Sequence, residues 1–284
     1  MITFSVQNSI RKEDQMIQKL QSAKQRYRSE GLTGLFTLYP RRAYEWMQTH
    51  DALWGRFVEF RGNKVNIDGL EFLVDVPAIT RKQKAKFLFD RYERPERLAA
   101  KRFLNPSLPV IEFGGNIGVV SCVINKKLNN PEKHIVVEAN PELIPYLERN
   151  RENNNCQFQV INYAVAHGVN EISFNLADDI LGSNAQVKTG RCVTVQAITL
   201  KSILEQTNFP ICTLVCDIEG NEIDLIKHEA GIIKERVSTM LMEVHPNFTG
   251  QPSVDNMLDS LQDLGFEILF NRWSNVVLQN TLLK

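Results

Sequence analysis

Hydrophobic and polar positions divide the chain into two stretches of different rhythm. Up to residue 59, isolated apolar positions such as Met16, Leu20, Leu35 and Leu38 stand among charged residues. That spacing predicts helices, broken where Gly31 and Gly34 fall close together. Tyr39, Tyr44, Trp46, Trp54 and Phe57 make the end of this stretch aromatic and predict a helical cap packed by large rings, with an oligomer contact or an acceptor lid as the other readings. Residues 64–76 form two strand-like runs around Asp68-Gly69, whose tolerance of positive φ predicts a tight hairpin. Helical spacing returns from about Lys82 to Phe103, and the breaker cluster 105–109 ends it.

Beyond that cluster, short apolar runs alternate with amphipathic ones. Strands are predicted near 110–113, 134–138, 157–162, 192–198, 211–217 and 238–244. Helices are predicted near 117–128, 141–153, 199–206, 220–229 and 253–264. This rhythm predicts a doubly wound α/β fold, a mostly parallel sheet covered on both faces. The pattern changes at the end: 266–270 and 276–278 flank Asn271-Arg272-Trp273-Ser274-Asn275 with no helix between, which predicts an antiparallel hairpin. The expected division is an N-terminal helical and hairpin extension over 1–105 and a ligand-binding domain over 106–284.

With 284 residues, 43% of them hydrophobic, the chain can bury one large core plus a small appended unit. Lys plus Arg and Asp plus Glu number 33 each, so the net charge is zero and a nucleic-acid partner is not expected. The basic runs 81–86 and 97–102 read as solvated helix faces. Five cysteines, Cys122, Cys156, Cys192, Cys212 and Cys216, show no zinc-ligand spacing and read as free thiols in a reducing compartment. The first residues lack the features of a signal peptide, and no apolar run reaches membrane-spanning length. A cytoplasmic location follows as the expectation, with the oligomeric state open.

Candidate chemistry collects at the carboxyl ends of the predicted strands, where open α/β sheets bind ligands. The first group is Glu112-Phe113-Gly114-Gly115-Asn116-Ile117-Gly118, a strand running through a glycine turn into a helix. Gly114, Gly115 and Gly118 let a ligand approach backbone, and amides at the helix start can hold a carboxylate. Glu112 would repel a pyrophosphate and suits a cationic group instead. A nucleotide-like ligand carrying both an amine and a carboxylate is S-adenosylmethionine. Glu138, 20 residues beyond Gly118 and followed by Ala139, ends the next strand, where a carboxylate can accept the ribose hydroxyl protons.

Asn162 and Ala164 follow a third strand, where an amide or backbone group could read the adenine edge; an ordinary turn asparagine is the competing reading. Asp217 and Glu219, in Asp-Ile-Glu-Gly, follow a fourth strand, and burial there would make both carboxylates costly. Asp217 would orient the amine of the cofactor or the acceptor; Glu219 and Glu222 can also favour the positive end of the next helix. His245 closes a fifth strand and is the preferred base for a hydroxyl acceptor, with Asp217 as the other candidate. Asp217, Glu219 and His245 also offer oxygen and nitrogen metal ligands, but residue identity without geometry does not make a site, and no metal is expected. His50, His134, His167 and His228 lie off the expected site.

Taken together, Tyr92-Glu93, Glu112-x-Gly114-x-Asn116-x-Gly118, Glu138-Ala139-Asn140-Pro141, Asn162-Tyr163-Ala164, Asp217-Ile218-Glu219-Gly220 and Glu243-Val244-His245 resemble the FkbM-type family of S-adenosylmethionine-dependent methyltransferases. The resemblance covers about residues 90–280. It implies a class I methyltransferase fold, Rossmann-like, and transfer of a methyl group to oxygen on a sugar, glycan or natural product. The chain departs from the family pattern at Glu112, Gly115, Ala139 and Val215, and after Leu200. Two other readings are open: a nicotinamide oxidoreductase, although Gly-Gly-Asn-Ile-Gly is not Gly-x-Gly-x-x-Gly, and a catalytically silent module that keeps the cofactor pocket.

Overall fold

The computed structural model describes residues 51–176 and 191–283 of the protein. The helices expected before residue 51, with Tyr39, Tyr44 and Trp46, lie outside the described residues. The chain divides into two units, residues 51–75 with 79–92, and residues 76–78 with 93–283.

In the first unit, α1 is Asp51–Phe60, β1 Lys64–Ile67, β2 Leu70–Leu73 and α2 Arg81–Leu88. β1 and β2 pair antiparallel with Ile67 opposite Leu70, and Asp68 and Gly69 both have positive φ, 55° and 83°. This is the expected two-residue turn. Val65, Ile67 and Phe72 point inward, beside Phe87 and Phe89 in the core of this unit. Thr80 starts α2 with a capping box: its hydroxyl accepts the Gln83 amide hydrogen, while Gln83 Oε1 accepts that of Thr80.

The second unit opens with α3, Arg94–Phe103. The helix that begins there therefore groups with the larger unit, and the division falls after Tyr92. Its main sheet takes β3 (Val110–Phe113), β4 (His134–Val137), β5 (Gln159–Ile161), β9 (Cys212–Cys216), β10 (Val237–Glu243), β11 (Phe266–Arg272) and β12 (Asn275–Asn280). The order across the sheet is β11-β12-β10-β9-β3-β4-β5. β10, β9, β3, β4 and β5 pair parallel, while β12 runs antiparallel to β10 and β11. β3, β4 and β9 are buried at every position, as expected of strands covered on both faces. The crossover helices are α4 (Val119–Asn125), α5 (Ile144–Asn153), α6 (Leu200–Thr207), α7 (Glu222–Arg236), α8 (Pro246–Thr249) and α9 (Gln251–Asp263). From β3 the chain first winds outward through β4 and β5 and then returns to the other side at β9, which makes the carboxyl ends of β3 and β9 the switch point where such sheets bind ligands.

One expected strand lies elsewhere. Residues Cys192–Ile198 form β8, which pairs with β6 (Ala164–Val165) and β7 (Glu171–Asn175) in a separate small sheet rather than joining the main one. The physical reason is its composition. Thr194 and Gln196 alternate with Val193, Val195 and Ala197, so this strand covers one apolar face and leaves the other wet. All five cysteines are free, Cys192 exposed and the other four buried. Among the described residues, no helix is long and apolar enough to cross a membrane.

Candidate active site

The glycine turn is shaped by what lies behind it. Gly114 has φ of 91°, and a Cβ there would stand 1.9 Å from the carbonyl oxygen of Asp217. The amide of Asp217 in turn donates to the carbonyl of Phe113 at 2.9 Å, so β3 and β9 close on each other at the switch point. Gly118, with φ of 87°, precedes α4; its Cβ would meet Leu147 of α5 at 2.7 Å. The first glycine thus admits a neighbouring strand and the second admits a helix.

A cavity of about 260 Å³ opens beside this turn. Gly114, Asn116, Glu138, Ala139, Ala164, Asp217 and Glu219 line it, each of them expected from the sequence. Glu138 is 7% exposed and its oxygens take one backbone N–H each, from Asn116 and Asn140, both at 2.7 Å. Burial pushes its carboxyl up to about 7, against the pull of those amides. Asn116, itself at φ of 46°, leaves its side-chain Oδ1 buried with no partner among the described residues.

Across the turn, Asp217 is pushed up to about 7 by burial, partly offset by His245 and reinforced by Glu219 and Glu222. Its Oδ1 is also buried without a hydrogen-bond partner. His245 Nε2 lies 3.5 Å from Asp217 Oδ1 and 3.5 Å from Glu219 Oε2, and its Nδ1 lies 3.3 Å from Glu222 Oε1. Burial opposes protonation of this imidazole, yet Glu222, Asp217 and Glu219 together raise it above the ordinary histidine value. Its ring stacks on Phe248 at 5.8 Å. Glu222, at the first position of α7, also accepts the amide hydrogen of Ile218 and is 2% exposed. His245 itself is not among the cavity-lining residues.

Behind Asp217, Glu93, Glu96 and Glu243 meet in a smaller chamber of about 30 Å³. Burial, then the nearby charges of Asp217 and Glu96, push Glu243 up to about 10, so it is a neutral acid at pH 7.

Two expected residues do other work. Glu112 is 1% exposed and faces away from the cavity, taking the Ser121 hydroxyl at 2.7 Å and pairing with His134 Nε2 at 2.9 Å. The expectation that it meets a cationic ligand group is corrected: it alternates along β3 with Ile111 and Phe113, which belong to the opposite core. Asn162 uses its side-chain nitrogen on backbone carbonyls instead of turning it toward the cavity. That nitrogen donates to the carbonyls of Glu138 at 2.8 Å and Ala139 at 3.1 Å, so it shapes the loop that carries Glu138. Gly115 also lines no part of the cavity: a Cβ there would meet Val136 at 2.4 Å.

Other walls were not anticipated. Ile172 and Phe174 reach the cavity from β7, and Phe248 and Thr249 from α8. The alternation Glu171, Ile172, Ser173, Phe174 carries the period-two signal that would have found the first pair. Phe248 and Thr249 sit on a four-residue helix that gives no periodic signal.

Among solved structures, the chain is similar to human methyltransferase 10 domain containing protein: 13% identity, TM-score 0.42, covering 85% of this chain and 98% of that one. It is similar to a putative transferase from Pyrococcus horikoshii at 12% identity and TM-score 0.43, covering 83% and 85%. Ribosomal protein L11 methylase from Lactobacillus delbrueckii subsp. bulgaricus gives 11% identity and TM-score 0.39, covering 66% and 77%. No curated protein matches the chain. The methyltransferase FkbM domain matches residues 112–268, from the strand before the glycine turn to the terminal hairpin. More than half of the chain is spanned by that match, and the protein belongs to the FkbM methyltransferase family.

Proposed function

We propose that the protein is an S-adenosylmethionine-dependent O-methyltransferase acting on a hydroxyl of a sugar, glycan or natural product. One observation carries this reading: Glu138 and Asp217, from the ends of β4 and β9, line a single open cavity on either side of the Gly114 turn. The residues suit the cofactor. Each Glu138 oxygen already accepts one amide hydrogen and keeps a lone pair for a ribose hydroxyl. The unpartnered Asn116 Oδ1 is an acceptor placed to take an ammonium hydrogen. Val137, Leu143, Val165 and Phe174 give apolar walls for a flat base.

S-adenosylmethionine supplies an electrophilic methyl group, whose bond to sulfur breaks with its electron pair returning to sulfur as the new bond to oxygen forms. The chain's residues have two tasks: to hold the acceptor oxygen in line and to receive its proton. Asp217 and Glu219 line the cavity and burial raises both carboxyls, that of Asp217 to about 7, which matches Asp217 to proton transfer near neutral pH. Behind them, burial opposes protonation of His245, and Glu222, Asp217 and Glu219 favour it.

Calorimetric titration with S-adenosylmethionine and separately with NAD tests the reading. Binding of the first and not the second is expected, and Glu138→Ala is expected to weaken it by about two powers of ten, since two charge-assisted bonds are lost. Unchanged affinity in that variant, or preference for NAD, would overturn the ribose assignment.

A further inference from the structure

At and behind the cavity wall are two orphaned atoms that proton transfer alone does not explain. Asp217 Oδ1 and His245 Nδ1 are both buried without a hydrogen-bond partner among the described residues. Each nonetheless faces a polar atom, Asp217 Oδ1 at 3.5 Å from His245 Nε2 and His245 Nδ1 at 3.3 Å from Glu222 Oε1. A plain imidazolium between carboxylates would draw these contacts in to the roughly 2.9 Å of an N–H···O bond and leave neither atom orphaned. One ion takes a single nitrogen of this imidazole, and the 3.3 Å from His245 Nδ1 to Glu222 Oε1 is near the roughly 3 Å that separates adjacent ligand atoms on an octahedral ion with bonds of about 2.1 Å. One ligand atom from each of Asp217, Glu222 and His245 lies within 4.8 Å of the other two.

We infer that Asp217, Glu222 and His245 hold a divalent cation of the Mn²⁺ or Mg²⁺ class. Two carboxylates and one imidazole form an oxygen-rich donor set suited to such ions. The ligands come from three packed elements: the end of β9, the first turn of α7 and the end of β10. The role of the ion rests on the methyl-transfer reading. Three protein ligands leave coordination positions open on the side where Asp217 lines the cavity, and an acceptor oxygen placed there loses its proton more readily. Glu219, outside the ligand set and lining the cavity, receives that proton as the O–H bond breaks and the O–C bond forms.

His167, Asp224 and His228 form another group of this kind and serve as the control. The two imidazole rings are stacked 4.9 Å apart at 11°, so their in-plane lone pairs do not converge on one point.

Electron paramagnetic resonance of Mn²⁺ titrated into the full chain tests the site, because bound Mn²⁺ loses the six-line signal of the free ion. One bound equivalent is expected, weakened about tenfold or more in both His245→Asn and Asp217→Asn and unchanged in His228→Ala. Absence of binding at millimolar Mn²⁺, retention in both site variants, or loss in His228→Ala would overturn the assignment. Calorimetry with S-adenosylmethionine on the same samples separates the two claims. Cofactor binding without Mn²⁺ binding sinks the cation site alone, and Mn²⁺ binding without cofactor binding sinks the methyl-transfer reading alone.

Discussion

Glu138 shows how one side chain couples the fold to pH. Its carboxyl titrates near 7 in the folded protein against 4.5 ordinarily. Between those values the native state binds more protons than the unfolded chain, so this group lowers stability as pH rises from about 4.5 to about 7 and adds nothing further above that. In the proposed function ribose hydroxyls would donate to the ionised form, so the affinity for S-adenosylmethionine is expected to rise with pH up to about 7 and then level off. Calorimetry below pH 7, in buffers of different ionisation enthalpy, is expected to register proton release on binding. Glu112 gives the contrasting case. Its removal leaves His134 Nε2 and the Ser121 hydroxyl buried without the partner they have now, so Glu112→Ala is expected to cost about 3 kcal/mol, read as a lowered Tm. At this scale Glu138 was legible, because an acid after a strand and a glycine turn before it point to the same ligand. Glu112 was not. In a strand buried on both faces, the sequence gives no polar alternation to say which face its one acid takes.

The strands and helices that carry these residues were legible wherever the apolar pattern was strong. β3 and its glycine turn, β9 with Asp-Ile-Glu-Gly, and the terminal hairpin all lie where the periodicity puts them. The small sheet was missed because β6 is two residues long and β7 starts after a polar turn. Without its partners, β8 read as one more central strand. The tightest joint between elements is Gly114 against Asp217, and no side chain fits between them. Gly114→Ala combines an unfavourable φ with a collision against backbone, and a loss of at least about 2 kcal/mol is expected by denaturant unfolding. The same variant is expected to lose cofactor binding, since any relief of the clash moves Asp217.

For the molecule as a whole, the wound sheet brings residues far apart in sequence to one edge, from Gly114 to Thr249. That convergence was readable, because parallel strands with crossover helices put every carboxyl end on the same side. Its depth was not: that Glu222 is buried while His245 stands behind the lining acids depends on how the first turn of α7 meets the residues just after β10, which no spacing encodes.

The hairpin that ends the chain has an optical consequence. Its tip carries Trp273, 68% exposed, and the next residue, Ser274, accepts the amide hydrogen of Val244, the neighbour of His245, at 2.8 Å. The remaining tryptophans, Trp46 and Trp54, precede the methyltransferase unit. Indole emission from this tip is therefore tied by one backbone link to the histidine behind the cavity's acids. A change in tryptophan fluorescence on adding Mn²⁺, abolished in Trp273→Phe, is the expected signal; a silent indole would mean that the link does not transmit what happens at that histidine.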